Sequence, residues 1–162
     1  MKNILALDLG TKTGYAFNAG GTFQCGTWIL ATPREITQFS KERLNRRRDP
    51  RVLQLRERLK VFSPDIVVFE DVQFASSTYQ VQLWSALRAA VWLTFPDILV
   101  DCVPVGTLKR FATGHGSATK EMMAASLRRK HPSIWTASNV LDDNAVDAAW
   151  LHLWAKQNFT RL

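Results

Sequence analysis

Short apolar runs punctuated by turn residues fill the first thirty positions, and longer segments with apolar residues at helical spacing follow, interrupted by two more apolar runs. That alternation predicts an α/β protein. Lys2 to Leu7 reads as a buried strand, Gly10 to Gly14 as a tight turn in which glycine supplies backbone freedom, and Tyr15 to Asn18 as a second strand. After the turn at Ala19-Gly20-Gly21, Thr22 to Leu30 reads as a third, so the opening forms an antiparallel meander. A polar helical stretch from Pro33 to Phe62 breaks at Pro50, beyond which Val52, Leu55, Leu59 and Phe62 recur at helical spacing. Ile66 to Glu70 is a fourth strand and Ile98 to Val103 a fifth. Between them Thr78 to Phe95, with Val81, Leu83, Trp84, Leu87, Val91 and Trp92, is an apolar helix suited to pack on the sheet or on another subunit. Gly106 to Lys120 reads as a loop, Thr119 as the cap of a helix through Arg129, and Asp142 to Gln157 as the last helix. No repeat, low-complexity tract or linker divides residues 1–162, which are expected to form one domain.

Two acids close apolar strands: Asp8 after Ile4-Leu5-Ala6-Leu7, and Glu70 after Ile66-Val67-Val68-Phe69. Because an unpaired carboxylate inside a sheet is very costly, such a strand delivers its acid to the sheet edge. Asp143 and Asp147 stand four residues apart, so on a helix they share a face and can complete the same site. Carboxylates gathered in this way suit hard divalent cations, and two such ions are a standard means of phosphodiester hydrolysis.

The charge balance adds a partner to this chemistry. A formal charge of +7 attracts acidic molecules, of which a nucleic-acid backbone is the commonest. No run approaches the roughly 20 apolar residues of a membrane span, and the first residues enter a strand-like pattern without a signal peptide. A soluble cytoplasmic protein with no membrane partner is therefore expected. Cys25 and Cys102 form no CxxC pair, and His115, His131 and His152 show no ligand spacing, which argues against a zinc site.

Four motifs in order, Asp8-Leu9-Gly10-Thr11, Phe69-Glu70-Asp71-Val72, Gly114-His115-Gly116-Ser117-Ala118-Thr119-Lys120 and Asp143-Asn144-Ala145-Val146-Asp147-Ala148-Ala149, resemble the RuvC-type Holliday junction resolvases over nearly the whole chain. The Trp-rich sequence looks more like a phage or prophage version than a housekeeping one. The resemblance implies an RNase H-like fold whose five-stranded mixed sheet, three antiparallel then two parallel strands, is flanked by helices. It also implies a homodimer that binds four-way and branched DNA and nicks two strands symmetrically. The cofactor would be two ions of Mg²⁺ or Mn²⁺ per site, with no small-molecule cofactor.

Carried over residue by residue, the resemblance makes Asp8, Glu70 and Asp147 metal-binding acids. The family's remaining acid falls three residues before the last, where this chain has Asn144; Asp143 is the preferred substitute, with Asp142 behind it. Lys109 and Lys120 match lysines that meet phosphate near the scissile bond or stabilise transition-state charge. The family's base-stacking aromatic falls at Gln73, leaving Phe74, or alternatively Tyr79, to stack. The implied reaction is in-line attack of an activated water on phosphorus, leaving a 5′ phosphate.

Each feature also has a plainer reading. Asp8 beside Gly10 could cap a turn, Asp142 and Asp143 could serve a helix N-terminus, and Arg46, Arg47 and Arg48 could be a solvated face instead of a DNA clamp. The segment Asp8 to Gly14 also resembles the phosphate loop of sugar kinase, actin and heat-shock ATPases, which need far more chain. Other rivals are a YqgF-type RNase H-fold nuclease acting on RNA and a junction-binding protein that does not cleave.

Overall fold

The computed structural model describes residues 2–42, 45–71, 77–137 and 141–159. Strands β1 (Ile4–Asp8), β2 (Lys12–Ala19), β3 (Thr22–Ile29), β4 (Ile66–Asp71) and β5 (Leu99–Pro104) form one sheet in the order β3-β2-β1-β4-β5. β1, β2 and β3 pair antiparallel; β4 and β5 join β1 in parallel. This is the mixed sheet expected from the sequence. The helices are α1 (Pro33–Lys41), α2 (Pro50–Leu59), α3 (Thr78–Thr94), α4 (Val105–Thr113), α5 (Lys120–Lys130), α6 (Pro132–Ala137) and α7 (Asp143–Phe159), with a 3₁₀ turn at Arg46–Arg48.

Alternation along the strands sorts the sheet between two cores. Ile4, Ala6, Ala16, Ile66 and Val68 pack with Leu108 of α4, Met123 and Leu127 of α5, and the alanine-rich face of α7. Leu5, Leu7, Phe17, Val67 and Phe69 point the other way, onto Val52, Leu55 and Leu59 of α2 and Leu83, Leu87 and Val91 of α3. β1 and β4 are covered on both faces, which is why their sequences are apolar without a break. Even-numbered residues of both strands therefore face α7.

Several boundaries differ from expectation. β2 begins at Lys12, so Gly14 lies inside a strand; the glycines with positive φ among the described residues are Gly20, Gly21 and Gly114. Gly14 is needed for space. A Cβ there would stand 1.9 Å from the backbone oxygen of Asn144, so only glycine lets α7 cross β2 this closely. The turn before it is held by Thr13, whose hydroxyl donates to the Gly10 carbonyl at 2.7 Å.

The long polar helix is interrupted well before Pro50. α1 ends at Lys41, and Pro50 starts α2, with Asp49 as its cap. The expected Gly106-to-Lys120 loop is mostly α4, because Leu108 and Ala112, four apart, bury one face against α5 and α7. Gly114, left-handed at φ 89°, ends it. α6 was not anticipated. No helix among the described residues is long and apolar enough to cross a membrane.

Candidate active site at the sheet edge

β1 and β4 run parallel and their pairing ends at Leu7 and Phe69, so Asp8 and Glu70 emerge side by side. Both have the parity that faces α7. Asp71 has the opposite parity and meets α3, where Arg88 donates to it at 2.9 Å. Alternation thus separates two adjacent acids: Glu70 goes to the site and Asp71 to a structural ion pair.

α7 supplies the third acid. Burial raises the Asp8 carboxyl most, and Asp147 and Glu70 raise it further against the pull of Lys120, bringing it up to about 8. Glu70 is lifted to about 7, by burial first and then by Asp147, with Lys109 opposing. Burial pushes Asp147 to about 6; Lys120 and Lys109 hold it down while Asp143 raises it. Asp8, Glu70 and Asp147 therefore form one electrostatic group, reached by a lysine from α4 and another from α5. The short carboxylates suit a hard cation, whose charge would offset their mutual repulsion.

Among the described residues, no three Asp, Glu, His or Cys side chains stand close enough together to hold an ion as placed. In chemical type, the oxygen donors of Asp8, Glu70 and Asp147 are those a hard divalent cation takes.

The three candidates for a fourth ligand have different partners. Asp142 caps α7, accepting from the Ala145 amide at 3.0 Å and from the Thr27 hydroxyl. Burial alone would raise its carboxyl, but hydrogen bonds from Thr27, Ala145 and Asn144 outweigh that and lower it, helped by Lys12. Asn144 is bound to Asp142 and its carbonyl rests over Gly14. Asp143 is more than half exposed and pairs with Lys120 at 3.0 Å. Lys120 in turn is raised by Asp143 first and then, against slight burial, by Asp147 and Asp8. Asp143 reaches the acidic group through Lys120 and through its field at Asp147, and Asp142 reaches it through a weaker field at Asp8.

The three arginines of the 3₁₀ turn differ in their surroundings. Arg46 is drawn in beneath α1 and α3: its guanidinium pairs with Asp49 at 2.8 Å and lies 4.0 Å from the Tyr79 ring centre. Asp49 is fully buried and also takes two bonds from Arg51, at 2.8 and 2.7 Å. Capping α2 with a buried carboxylate demands compensating guanidinium groups, and that demand occupies Arg46. Arg51 further donates to the Tyr79 hydroxyl at 2.6 Å, so the candidate stacking aromatic is the lid of this cluster. Arg47 and Arg48 remain exposed. Phe74 and Gln73 lie outside the described residues. Lys12, exposed at the start of β2 and acting on Asp142, was overlooked because a lone lysine after a turn carries no signal.

No family model matches the chain, and no curated protein matches it in sequence. Solved structures do match. Thermus thermophilus RuvC in complex with a Holliday junction substrate is 18% identical, aligns over 94% of this chain and 92% of its own, and has a TM-score of 0.65. A second T. thermophilus RuvC structure gives 18% identity, 96% and 95% coverage and a TM-score of 0.60. The fowlpox virus Holliday junction resolvase gives 14%, 99% of both chains and 0.55. The likeness shows that the chain has the RNase H-like fold of these proteins.

Proposed function

We propose that this chain is a divalent-metal-dependent DNA endonuclease that resolves four-way junctions by symmetric paired nicks, acting as a homodimer in the cytoplasm. The observation that carries the reading is the coupling of Asp8, Glu70 and Asp147 into one partly buried acidic group at the ends of β1 and β4, with Lys109 and Lys120 beside it. The similar fold of two resolvases from unrelated sources supports the substrate class.

In this reading the three acids hold the metal, with Asp143 at the rim. Divalent ions there would acidify the attacking water and steady the leaving 3′ oxygen. The chain itself contributes position and charge. Lys120, braced by Asp143, would set its ammonium against a phosphate drawn to the acids. Lys109 does the same from α4. Both offset phosphate charge as it grows at the pentacovalent transition state. The net charge of +7 draws the DNA in, and such attraction does not distinguish sequences. Preference for a junction would come from the spacing of two active sites across a dimer, a readout of shape.

The test is cleavage of a synthetic mobile four-way junction and of linear duplex in Mg²⁺, Mn²⁺ and EDTA, with strand-resolved products. Paired symmetric nicks on the junction alone, lost in EDTA, are expected. Tight junction binding without cutting would leave a junction-binding protein. An equal rate on duplex, or preferential cutting of RNA, would overturn the substrate assignment.

A further inference from the structure

The acids of β1 and β4 share their level of the sheet with two residues that carry no charge. Asp8 is the cross-strand partner of Gly14, and Gly14 is the partner of Thr27 on β3. Glu70 continues the row on β4, one step past the Leu7–Phe69 pair. Alternation puts the whole row on the α7 face, the face to which Phe23 and Cys25 of β3, Ala16 of β2 and Ala6 of β1 also contribute.

The first turns of α7 lie across that row. Over β3, Asp142 accepts the Thr27 hydroxyl; over β2, the Asn144 carbonyl fills the space that a Cβ at Gly14 would take; farther on, Asp147 comes within the field of Asp8 and Glu70. Gly14 permits close approach but cannot fix the helix laterally, since it offers no side chain. The Thr27–Asp142 bond is the polar tie at the row's outer end.

We infer that Thr27 is a positioning residue for the acidic site: by holding Asp142 it sets where α7 enters the row and hence how Asp147 faces Asp8 and Glu70. The inference deepens the nuclease reading and rests on it. Thr27 itself lies two strands from Asp8, on the order of 10 Å, and does not touch the reacting atoms. The Ala145-to-Asp142 cap bond is internal to the helix start and survives loss of the Thr27 hydroxyl. Removing the hydroxyl therefore loosens the placement of α7 without unwinding it.

The experiment compares Thr27→Val, which keeps the shape and β-branching, with Thr27→Ser, which keeps the hydroxyl. Three quantities are read: single-turnover cleavage of a four-way junction, junction Kd in Ca²⁺, and the rise in unfolding temperature when Mn²⁺ is added to the EDTA-treated protein. A displacement of about 1 Å is worth up to roughly a hundredfold in rate. Thr27→Val is expected to cut at least about tenfold more slowly with little change in Kd and with a smaller Mn²⁺-induced rise, and Thr27→Ser to restore both. Wild-type cleavage by Thr27→Val would overturn the inference. So would an unchanged Mn²⁺ increment, or a loss in Thr27→Ser as large as in Thr27→Val. If the wild-type protein does not cut junctions, the nuclease reading fails, and the Mn²⁺ increment alone decides whether Thr27 positions the acids.

Discussion

Replacing Glu70 with Gln should make the metal-free protein more stable. The Glu70 carboxyl titrates at about 7 against an ordinary 4.5, because burial and the neighbouring Asp147 both disfavour its charge. A carboxyl raised on folding leaves stability intact below pH 4.5 and erodes it as pH climbs to 7, after which the loss is constant. At about 1.36 kcal/mol per pKa unit, the full loss is about 3 kcal/mol, a ceiling because water reaches this partly buried group. Gln keeps the shape and cannot ionise, so Glu70→Gln should recover most of that above pH 7 and little at pH 4. For a chain of this size, about 2 to 4 °C per kcal/mol turns the gain into roughly 6 to 12 °C.

The assay is thermal unfolding by circular dichroism in EDTA at pH 4, 6 and 8. The gap between mutant and wild type should open with pH. Adding Mn²⁺ at pH 8 should then raise the wild type more than the mutant, because bound ligand stabilises in proportion to its affinity for the folded state. A mutant that melts at or below wild type at pH 8, or a gap that does not change between pH 4 and 8, would refute the picture of Glu70 as a carboxylate held against repulsion.

Asp8→Asn should bind a four-way junction as wild type does in a gel-shift assay while producing no cuts in Mg²⁺. Lys120→Ala should slow cleavage by roughly ten- to a hundredfold with a milder effect on Kd. Because Lys120 lowers both Asp8 and Asp147, its loss should also move the acid limb of the pH–rate profile upward. Gly14→Ala should lower stability by about 3 kcal/mol or more, read from urea unfolding, since its Cβ would stand 1.9 Å from the Asn144 oxygen and the backbone on both sides must shift.

The sheet was legible because its strands are closed by acids or by glycine turns and because β1 and β4 carry unbroken apolar runs. The helices were less so. The glycines at 106, 114 and 116, in and just beyond α4, suggest a loop, although Leu108 and Ala112 carry the buried face of a helix. The arginine run is legible only in part, because composition shows its charge but not the buried Asp49 that holds Arg46. Gly14 suggests a turn, because nothing in a strand sequence announces a helix crossing above it. Gly14 and α4 share one cause, dependence on a helix distant in sequence, whereas Arg46 is held by Asp49 only three residues on, whose burial no local pattern announces.

The consecutive residues Asp142, Asp143 and Asn144 show how far helical spacing alone can go. Residues at 143 and 147 lie on one face, and that spacing does bring Asp143 into the field of Asp147. A turn of about 100° per residue sends the neighbours elsewhere: Asp142 to Thr27 on β3, and the Asn144 backbone onto Gly14 of β2. Spacing cannot reveal that Asp143 meets a lysine from another helix, α5, before it meets the other acids. That pairing gives Asp143 two services at once, bracing Lys120 and adding negative charge at Asp147. Asp143→Asn would weaken both, whereas Asp142→Ala would remove the cap and the Thr27 tie. The second change acts on where α7 begins and lifts a minor negative field from Asp8, whereas the first acts on the charge at Asp147 and Lys120.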